Sequence, residues 1–250
     1  MSIGCSTTSK PAFNMLRPET DQLWRFLSGE PALAGFVLVG GSALTLHLGH
    51  RLSEDLDFAW PAHRLPVERL TALQRLAAER SFQFQRRDDP AAADEFETAG
   101  MSLHDFQQDF LVNGIVKVSF FAADEPLCRV LNRDAASSLP RIATLEELFA
   151  SKCLVAASRS KTRDWFDLYV LMRHQGFTLE DFHAVFLRAG VPQQFDLALQ
   201  RLCSGRPSLA DEGYDQLLAE APTLDDMRAF FIRQRDAYEQ EQACRLAGRA

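Results

Sequence analysis

Long apolar runs are absent from this chain of 250 residues; none approaches the ~20 residues needed to span a bilayer. The opening, MSIGCSTTSK, is polar and lacks the apolar centre of a secretory signal, so residence in the cytoplasm is expected. Cysteine is sparse and unpatterned. Cys5, Cys128, Cys153, Cys203 and Cys244 are odd in number and scattered, with no Cys-x-x-Cys pair, which argues against zinc and disulfides and for reduced thiols. Basic residues are the minority, 27 Lys and Arg against 34 Asp and Glu, for a net charge of -7. That balance excludes broad nonspecific affinity for nucleic acid and leaves room only for local basic patches. Repeats and low-complexity tracts are also missing. The length suffices for one large domain or two small ones.

What the chain does contain is concentrated in GGSALTLHLGHRLSEDLDF, Gly40 to Phe58. The apolar run Phe36-Val37-Leu38-Val39 reads as a buried strand, and Gly40-Gly41 then permits a sharp turn with positive φ. A helix opened by Ser42 should follow, its free N–H groups and the Ser42 hydroxyl placed to receive an anion such as a triphosphate. Downstream, Leu52 to Phe58 alternates with period two. Asp55 and Asp57 therefore share one face of a strand while Leu56 and Phe58 face the core. Aspartate is depleted in strands, and two such charges ~4 Å apart repel by ~4 kcal/mol at an effective dielectric near 20. A bound cation gives the pairing its reason. Mg²⁺ accepts a few carboxylates together with substrate phosphate oxygens, so a phosphate turn beside Asp-x-Asp suits metal-assisted phosphoryl transfer.

The remaining pattern predicts an α+β chain, a mixed sheet followed by helices. A flexible segment is expected over 1–18, an α/β domain over 19–140 and a helical domain over 141–250. Glu19 to Ser28 and Val67 to Arg80 have helical spacing, Ser81 to Gln85 alternates like a strand, and Asp88 to Gly100 reads as a loop. Asn113-Gly114, between Phe110-Leu111-Val112 and Ile115 to Val118, is the strongest hairpin signal. Thr144 with Glu147, Thr178 with Asp181 and Thr223 with Asp226 have the spacing of helix caps. In the helix from Thr144, Lys152 interrupts the apolar stripe of Leu145, Leu148, Phe149, Val155 and Ala156, and a cationic head aimed into a cleft would neutralise phosphate. Arg159, Lys161 and Arg163 add the densest basic cluster nearby. Phe230, Phe231 and Tyr238 read as core packing of the last helices.

These motifs resemble the AbiEii/AbiGii toxin-type nucleotidyltransferases of the DNA polymerase β-like superfamily. The GGSAL turn, the GHR of Gly49-His50-Arg51 and the S-x-DLDF of Ser53 to Phe58 carry the resemblance. So do Lys152 and the stretch Arg163-Asp164-Trp165-Phe166-Asp167-Leu168. The resemblance implies a polymerase β-like nucleotidyltransferase fold and transfer of an NMP from an NTP, with Mg²⁺ or Mn²⁺ held by Asp55 and Asp57. The implied acceptor is a hydroxyl, with RNA and the 3′ end of tRNA foremost. The implied setting is a toxin-antitoxin or phage-defence pair with a separately encoded antitoxin.

Within that reading Gly40, Gly41, Ser42, Arg51 and Lys152 bind nucleotide, while Asp55, Asp57, Lys152 and Asp164 are catalytic. Asp167 caps or orients, Arg51 either meets phosphate or braces the carboxylates, and His47 and His50 tune packing. One departure stands out. The superfamily often carries a third carboxylate on a neighbouring strand, where Val116 to Phe121 offers Ser119. A two-residue Asn113-Gly114 turn would pair Ser119 with Gln108 and send Asp109 to the opposite face. Two alternatives therefore stay open: a catalytically weak or silent nucleotide-binding interaction module, and a transferase acting on a small molecule such as an aminoglycoside or on a protein hydroxyl.

Overall fold

A computed structural model describes residues 16–132, 137–218 and 220–248. Most of the expected flexible segment, residues 1–18, lies outside them, as does Cys5; Leu16 forms an isolated bridge to Ser53, and Pro18 begins the first helix. Six strands form one mixed sheet in the order β3-β4-β5-β2-β1-β6, built from β1 (Val37–Val39), β2 (Leu56–Trp60), β3 (Phe84–Arg86), β4 (Gln107–Val112), β5 (Val116–Ala122) and β6 (Arg141–Ile142). At the centre, β2 runs antiparallel to β1 and parallel to β5. One sheet face carries Leu56, Phe58, Val118, Phe120, Phe110 and Val112, all buried. Alternation alone sends these inward, and each such side chain contributes about 1.5–3 kcal/mol of burial. Helices α1 (Pro18–Leu27) and α3 (Val67–Glu79) supply apolar residues to the same core.

The opposite face leaves Asp57, Ser119 and Lys117 available, and α2 (Gly40–Leu48) with α6 (Leu145–Ser158) brackets it. Further helices are α5 (Glu125–Val130), α7 (Thr162–His174), α8 (Leu179–Ala189), α9 (Phe195–Ser204) and α10 (Leu224–Ala247). The expected caps form: Thr144 with Glu147, Thr178 with Asp181 and Thr223 with Asp226 each close a capping box, satisfying two orphan donors at a helix start. Phe230 and Phe231 are buried as core, while Tyr238 lies against His183 with its hydroxyl 2.6 Å from Nδ1. No helix among the described residues is long and apolar enough to cross a membrane. The four described cysteines are free thiols.

Two local expectations are corrected. Residues 88–100 do not form a loop: Pro90–Thr98 is a helix, α4, whose N-cap Asp89 accepts the Ala91 N–H at 2.9 Å. Asp-Pro followed by three alanines is a strong helix start, and it outweighs the scarcity of apolar residues that suggested a loop. The hairpin is one residue longer than expected. Val112 pairs with Val116, so the loop is 113–115, with Asn113 and Gly114 both at positive φ. Asn113 also ties the loop to the segment before β3, its Oδ1 accepting from Gln83 N–H and its Nδ2 donating to the Ser81 carbonyl. Ile115, apolar yet exposed, had looked like the first strand residue.

Candidate functional site

The strand β1 ends at Val39 and α2 begins at once with Gly40, two residues earlier than Ser42. Two glycines are needed here for separate steric reasons. Gly40 has φ +74°, and a Cβ on it would lie 2.5 Å from Asp57 Oδ2. A Cβ on Gly41 would collide with the Arg51 guanidinium. The turn therefore lies directly on one acid and one base of the site. The first-turn N–H groups of α2 are without intrahelical partners, as at any helix start, and point the positive end of the helix dipole at the same place. Ser42 is fully buried, and its hydroxyl bonds the Asp55 carbonyl and, at 2.9 Å, Ser53 Oγ. That hydroxyl braces the loop instead of opening the helix toward an anion.

Asp55 immediately precedes β2 and Asp57 lies within it. Both enter the wall of a cavity of about 220 Å³ together with Gly40, Gly41 and Ser42. Burial pushes the Asp57 carboxyl up to about 6, and the negative charge of Asp55 adds to the rise. Burial also raises Asp55, against the opposing pull of Lys117. Neither acid has a salt-bridge partner among the described residues. Lys117 acts on Asp55, and Lys152 and Arg159 on Asp57, yet both acids stay raised with no ion pair closed on them, which is the state that a divalent cation relieves.

Asp164 and Asp167, on α7, meet the opposite environment. Lys152 Nζ, from α6, lies 2.7 Å from Asp164 Oδ1 and 2.6 Å from Asp167 Oδ2. Arg51 grips Asp167 with two N–H groups, Nε to Oδ1 at 2.8 Å and Nη2 to Oδ2 at 3.0 Å. His50 Nε2 also reaches Asp167 at 2.7 Å, and Arg159 Nε donates to Asp164 Oδ2 at 2.8 Å. Burial would raise both acids, but Arg51 and Lys152 hold Asp167 well below the ordinary range, and Lys152 with Arg159 lowers Asp164. Burial likewise opposes the charge on Lys152, and the two aspartates overcome it and raise its pKa.

The network shows where several side chains are held. Arg51 braces a carboxylate rather than standing free. Asp167, in the second turn of α7, orients Arg51 and Lys152 and caps nothing. His47 bonds the Ala143 carbonyl at 2.8 Å, a packing role. Lys152 reaches the cavity wall with its charge already shared between two acids. Asp164 also lines that cavity, but both of its oxygens are taken by cations.

Lys117 was missed in the sequence. It lies two residues before Ser119 on β5 and so shares the face of Asp57, a placement that period-two counting from Ser119 reveals. The cationic cluster suspected from Arg159, Lys161 and Arg163 does line the cavity. Six cations (Arg51, Lys117, Lys152, Arg159, Lys161, Arg163) face five acids (Glu54, Asp55, Asp57, Asp164, Glu212), a formal balance of one positive charge. A bound triphosphate, carrying several negative charges, would be left largely unneutralised by the protein alone. The residues therefore fit a resident cation held by Asp55 and Asp57.

The hairpin register changes the position of Asp109. Asp57 pairs with Ser119 across β2 and β5, and Ser119 pairs with Asp109 across β5 and β4. All three point to the same face. Asp109 is therefore not sent to the opposite face, as a two-residue turn would require. Its Oδ2 accepts the Gln107 amide at 2.6 Å, while its buried Oδ1 has no hydrogen-bond partner. Two strand spacings still separate it from Asp57, roughly 10 Å between Cα atoms. Among the described residues no group of three or more His, Cys, Asp or Glu is arranged around one metal position.

Residues 22–241 match the family model described as nucleotidyl transferase AbiEii toxin, type IV toxin-antitoxin system. An uncharacterized protein of Aquifex aeolicus is 26% identical over 206 residues, covering 81% of this chain and 87% of its own. MenT4, a nucleotidyltransferase toxin from Mycobacterium tuberculosis, aligns with a TM-score of 0.51 at 17% identity over 90% of this chain and 88% of that one. A nucleotidyltransferase candidate crystallised from H. pylori aligns with a TM-score of 0.49 at 20% identity, over 93% of this chain and 98% of its own. With the family model spanning most of its length, the chain belongs to the AbiEii nucleotidyltransferase toxin family.

Proposed function

We propose that this nucleotidyltransferase moves an NMP from an NTP to the terminal hydroxyl of an RNA, with the 3′ end of tRNA as the acceptor, and acts as a toxin restrained by a separately encoded antitoxin. The observation that carries the transfer is the meeting, in one cavity, of a glycine helix start, a cationic wall and two uncompensated aspartates. The first-turn N–H groups of α2 at Gly40 and Gly41 receive phosphate oxygens. Lys117, Lys161 and Arg163 add charge along the same wall, and Arg159 reaches it from its partner Asp164. Asp55 and Asp57 hold Mg²⁺ or Mn²⁺, which supplies Lewis-acid polarisation of the phosphoryl oxygens when bound. Lys152, Arg51 and Asp167 keep α6 and α7 fixed against the turn, so positioning costs little at the moment of reaction.

The test is incubation with Mg²⁺, each α-³²P-labelled NTP and total cellular RNA, beside an Asp57→Ala control, resolved on a denaturing gel. A labelled band of tRNA size that vanishes in the variant supports the reading and shows the preferred base. Label on an aminoglycoside or a protein in place of RNA would replace the acceptor. NTP binding with no labelled product would favour the silent interaction module, for which Ser119 beside Asp57 is the specific supporting feature.

A further inference from the structure

The phosphate cavity is not the only one that ends at Asp57. A cavity of about 650 Å³ has Asp57 and Ser119 in its wall and extends past Phe121 beneath α4, where Phe96 and Phe106 meet with ring centroids 5.3 Å apart. Strand β5 fixes the relation between the two. Lys117 lines the phosphate cavity, Ser119 stands beside Asp57, and Phe121 lines the second cavity. Strand β2 repeats the order, since Asp55 lines the first cavity only and Asp57 lines both. The two spaces therefore lie on opposite sides of Asp57 along the strands.

Phosphoryl transfer requires that arrangement. The entering oxygen and the leaving pyrophosphate lie roughly in line on opposite sides of the α-phosphorus. With pyrophosphate at the Lys117 end, the entering hydroxyl comes from the Phe121 end. A third cavity, of about 390 Å³, shares Gly40, Lys152 and Arg159 with the phosphate cavity, Phe121, Asp124 and Leu127 with the 650 Å³ cavity and Asp57 with both, so it joins the two beside Asp57 and leaves room there for the ribose and base of the NTP.

The chemistry of the 650 Å³ cavity narrows its occupant. No lysine or arginine lines it, so a phosphate group finds no partner inside. Its acids are engaged: Asp124 Oδ1 accepts the Leu127 N–H at 2.9 Å, Glu125 pairs with Arg129, and Asp57 belongs to the cation site. What remains is the stacking surface of Phe96, Phe106 and Phe121. Just beyond it, the exposed Arg64 guanidinium lies 5.5 Å from the Phe106 ring centroid and 3.2 Å from the half-exposed Asp105 carboxylate, a surface pair that an arriving phosphate would replace.

We propose that this aromatic cavity receives the unphosphorylated terminal ribonucleoside of the acceptor RNA, its base against the phenylalanine rings and its hydroxyl at Asp57, with Arg64 taking the preceding phosphate. The assignment rests on the nucleotidyl-transfer reading. In the step, the terminal hydroxyl oxygen bonds to the α-phosphorus as the α–β phosphoanhydride bond breaks. Pyrophosphate leaves with the bonding pair, and the hydroxyl proton passes to solvent.

Phe96→Ala tests it, because α4 buries none of its residues and the fold survives the truncation. The measurements are kcat and KM for an RNA ending in a free 3′ hydroxyl, affinity for a non-hydrolysable NTP by calorimetry, and competition by the same RNA ending in a 3′ phosphate. Loss of one stacking ring raises the RNA KM roughly tenfold. NTP affinity is unchanged, Phe96→Tyr restores the KM, and the 3′-phosphorylated RNA does not compete. An unchanged RNA KM, or a fall in NTP affinity, would overturn the assignment. Wild-type protein that binds NTP but labels only an aminoglycoside or a protein would overturn the RNA occupant while leaving transfer in place. Wild-type protein that binds no NTP would remove the transfer reading and the acceptor assignment with it.

Discussion

Asp55 and Asp57 stand beside the Gly40-Gly41 turn with no salt bridge among the described residues, and burial raises both; Asp164 and Asp167, more deeply buried still, are gripped by Lys152, Arg51 and Arg159 and are lowered. The residue type is the same in both pairs, and the more deeply buried pair is the one whose pKa values fall. The difference is where the compensating charge comes from. For Asp164 and Asp167 it is built into α6 and the loop after α2, so that pair holds the two halves of the site together. For Asp55 and Asp57 it must arrive from outside. A buried acid with its cation in the fold is structural, and a buried acid without one marks where something binds.

The sharpest way to break this contrast is to remove one acid from each pair. Asp167→Ala leaves Arg51 and Lys152 buried without their shared partner and is expected to cost about 3–5 kcal/mol of stability, read by chemical denaturation. Asp57→Ala is expected to leave stability unchanged or raised while lowering kcat about a thousandfold, comparable to the loss of a major electrostatic contact in a transition state. Mg²⁺ should stabilise the wild type by about 1.4 kcal/mol at tenfold above its Kd, read as a higher thermal midpoint, and should fail to do so in Asp57→Ala. If both variants unfolded alike, or Mg²⁺ stabilised both proteins equally, the two pairs would be the same kind of object.

Acid titration sharpens the comparison further. The folded-state pKa values of Asp164 and Asp167 lie below the unfolded value of ~3.9, so the native protein binds fewer protons there than the unfolded chain. Their stabilisation is present in full above that unfolded value and is lost as pH falls through the folded one. Denaturation midpoints followed from pH 6 to pH 2 should therefore drop steeply below about pH 4, by up to ~1.4 kcal/mol per pH unit for each coupled proton. Asp164→Asn, less stable at neutral pH, should show a shallower fall. A wild-type curve that stays flat across this range would remove the structural pair from the argument. Gly40→Ala comes next in size. The residue would take φ +74° with a side chain and press on Asp57 Oδ2, for an expected cost of about 1–2 kcal/mol and a weakened cation response by thermal shift.

The contrast was only half legible in the sequence. Alternation over Leu52 to Phe58 pointed Asp55 and Asp57 at one place, and both line one cavity although β2 begins only at Leu56; the caps at Thr144, Thr178 and Thr223 were readable because each is local. Lys152 was visible as a charge on an apolar stripe. Its two partners were not, because Asp164 and Asp167 reach it across a helix pair whose packing no spacing rule states. The partners of the Ser42 hydroxyl were hidden for a related reason. A serine after two glycines looks like a cap, and only the return of the chain at Ser53 and Asp55 claims its hydroxyl. The hairpin erred by one residue because exposed Ile115 extended the apolar run, and one residue of register was enough to place Asp109 on the wrong face.

Asp109 therefore supplies the finest test of the comparison. It lies in the row of Asp57 and Ser119, and its buried Oδ1 is without a hydrogen-bond partner, so it resembles the uncompensated pair more than the gripped one. The geometry argues the other way, because two strand spacings place its Cα about 10 Å from that of Asp57 and no three acids among the described residues are arranged around one metal position. Asp109→Asn keeps the shape and the Gln107 contact while removing the charge. The expected outcome is a kcat within about twofold of wild type and stability within about 0.5 kcal/mol, measured by steady-state labelling and denaturation side by side. A loss of a hundredfold or more would make Asp109 the third acid that Ser119 does not provide, and the uncompensated pair would become a row of three spanning β2 to β4.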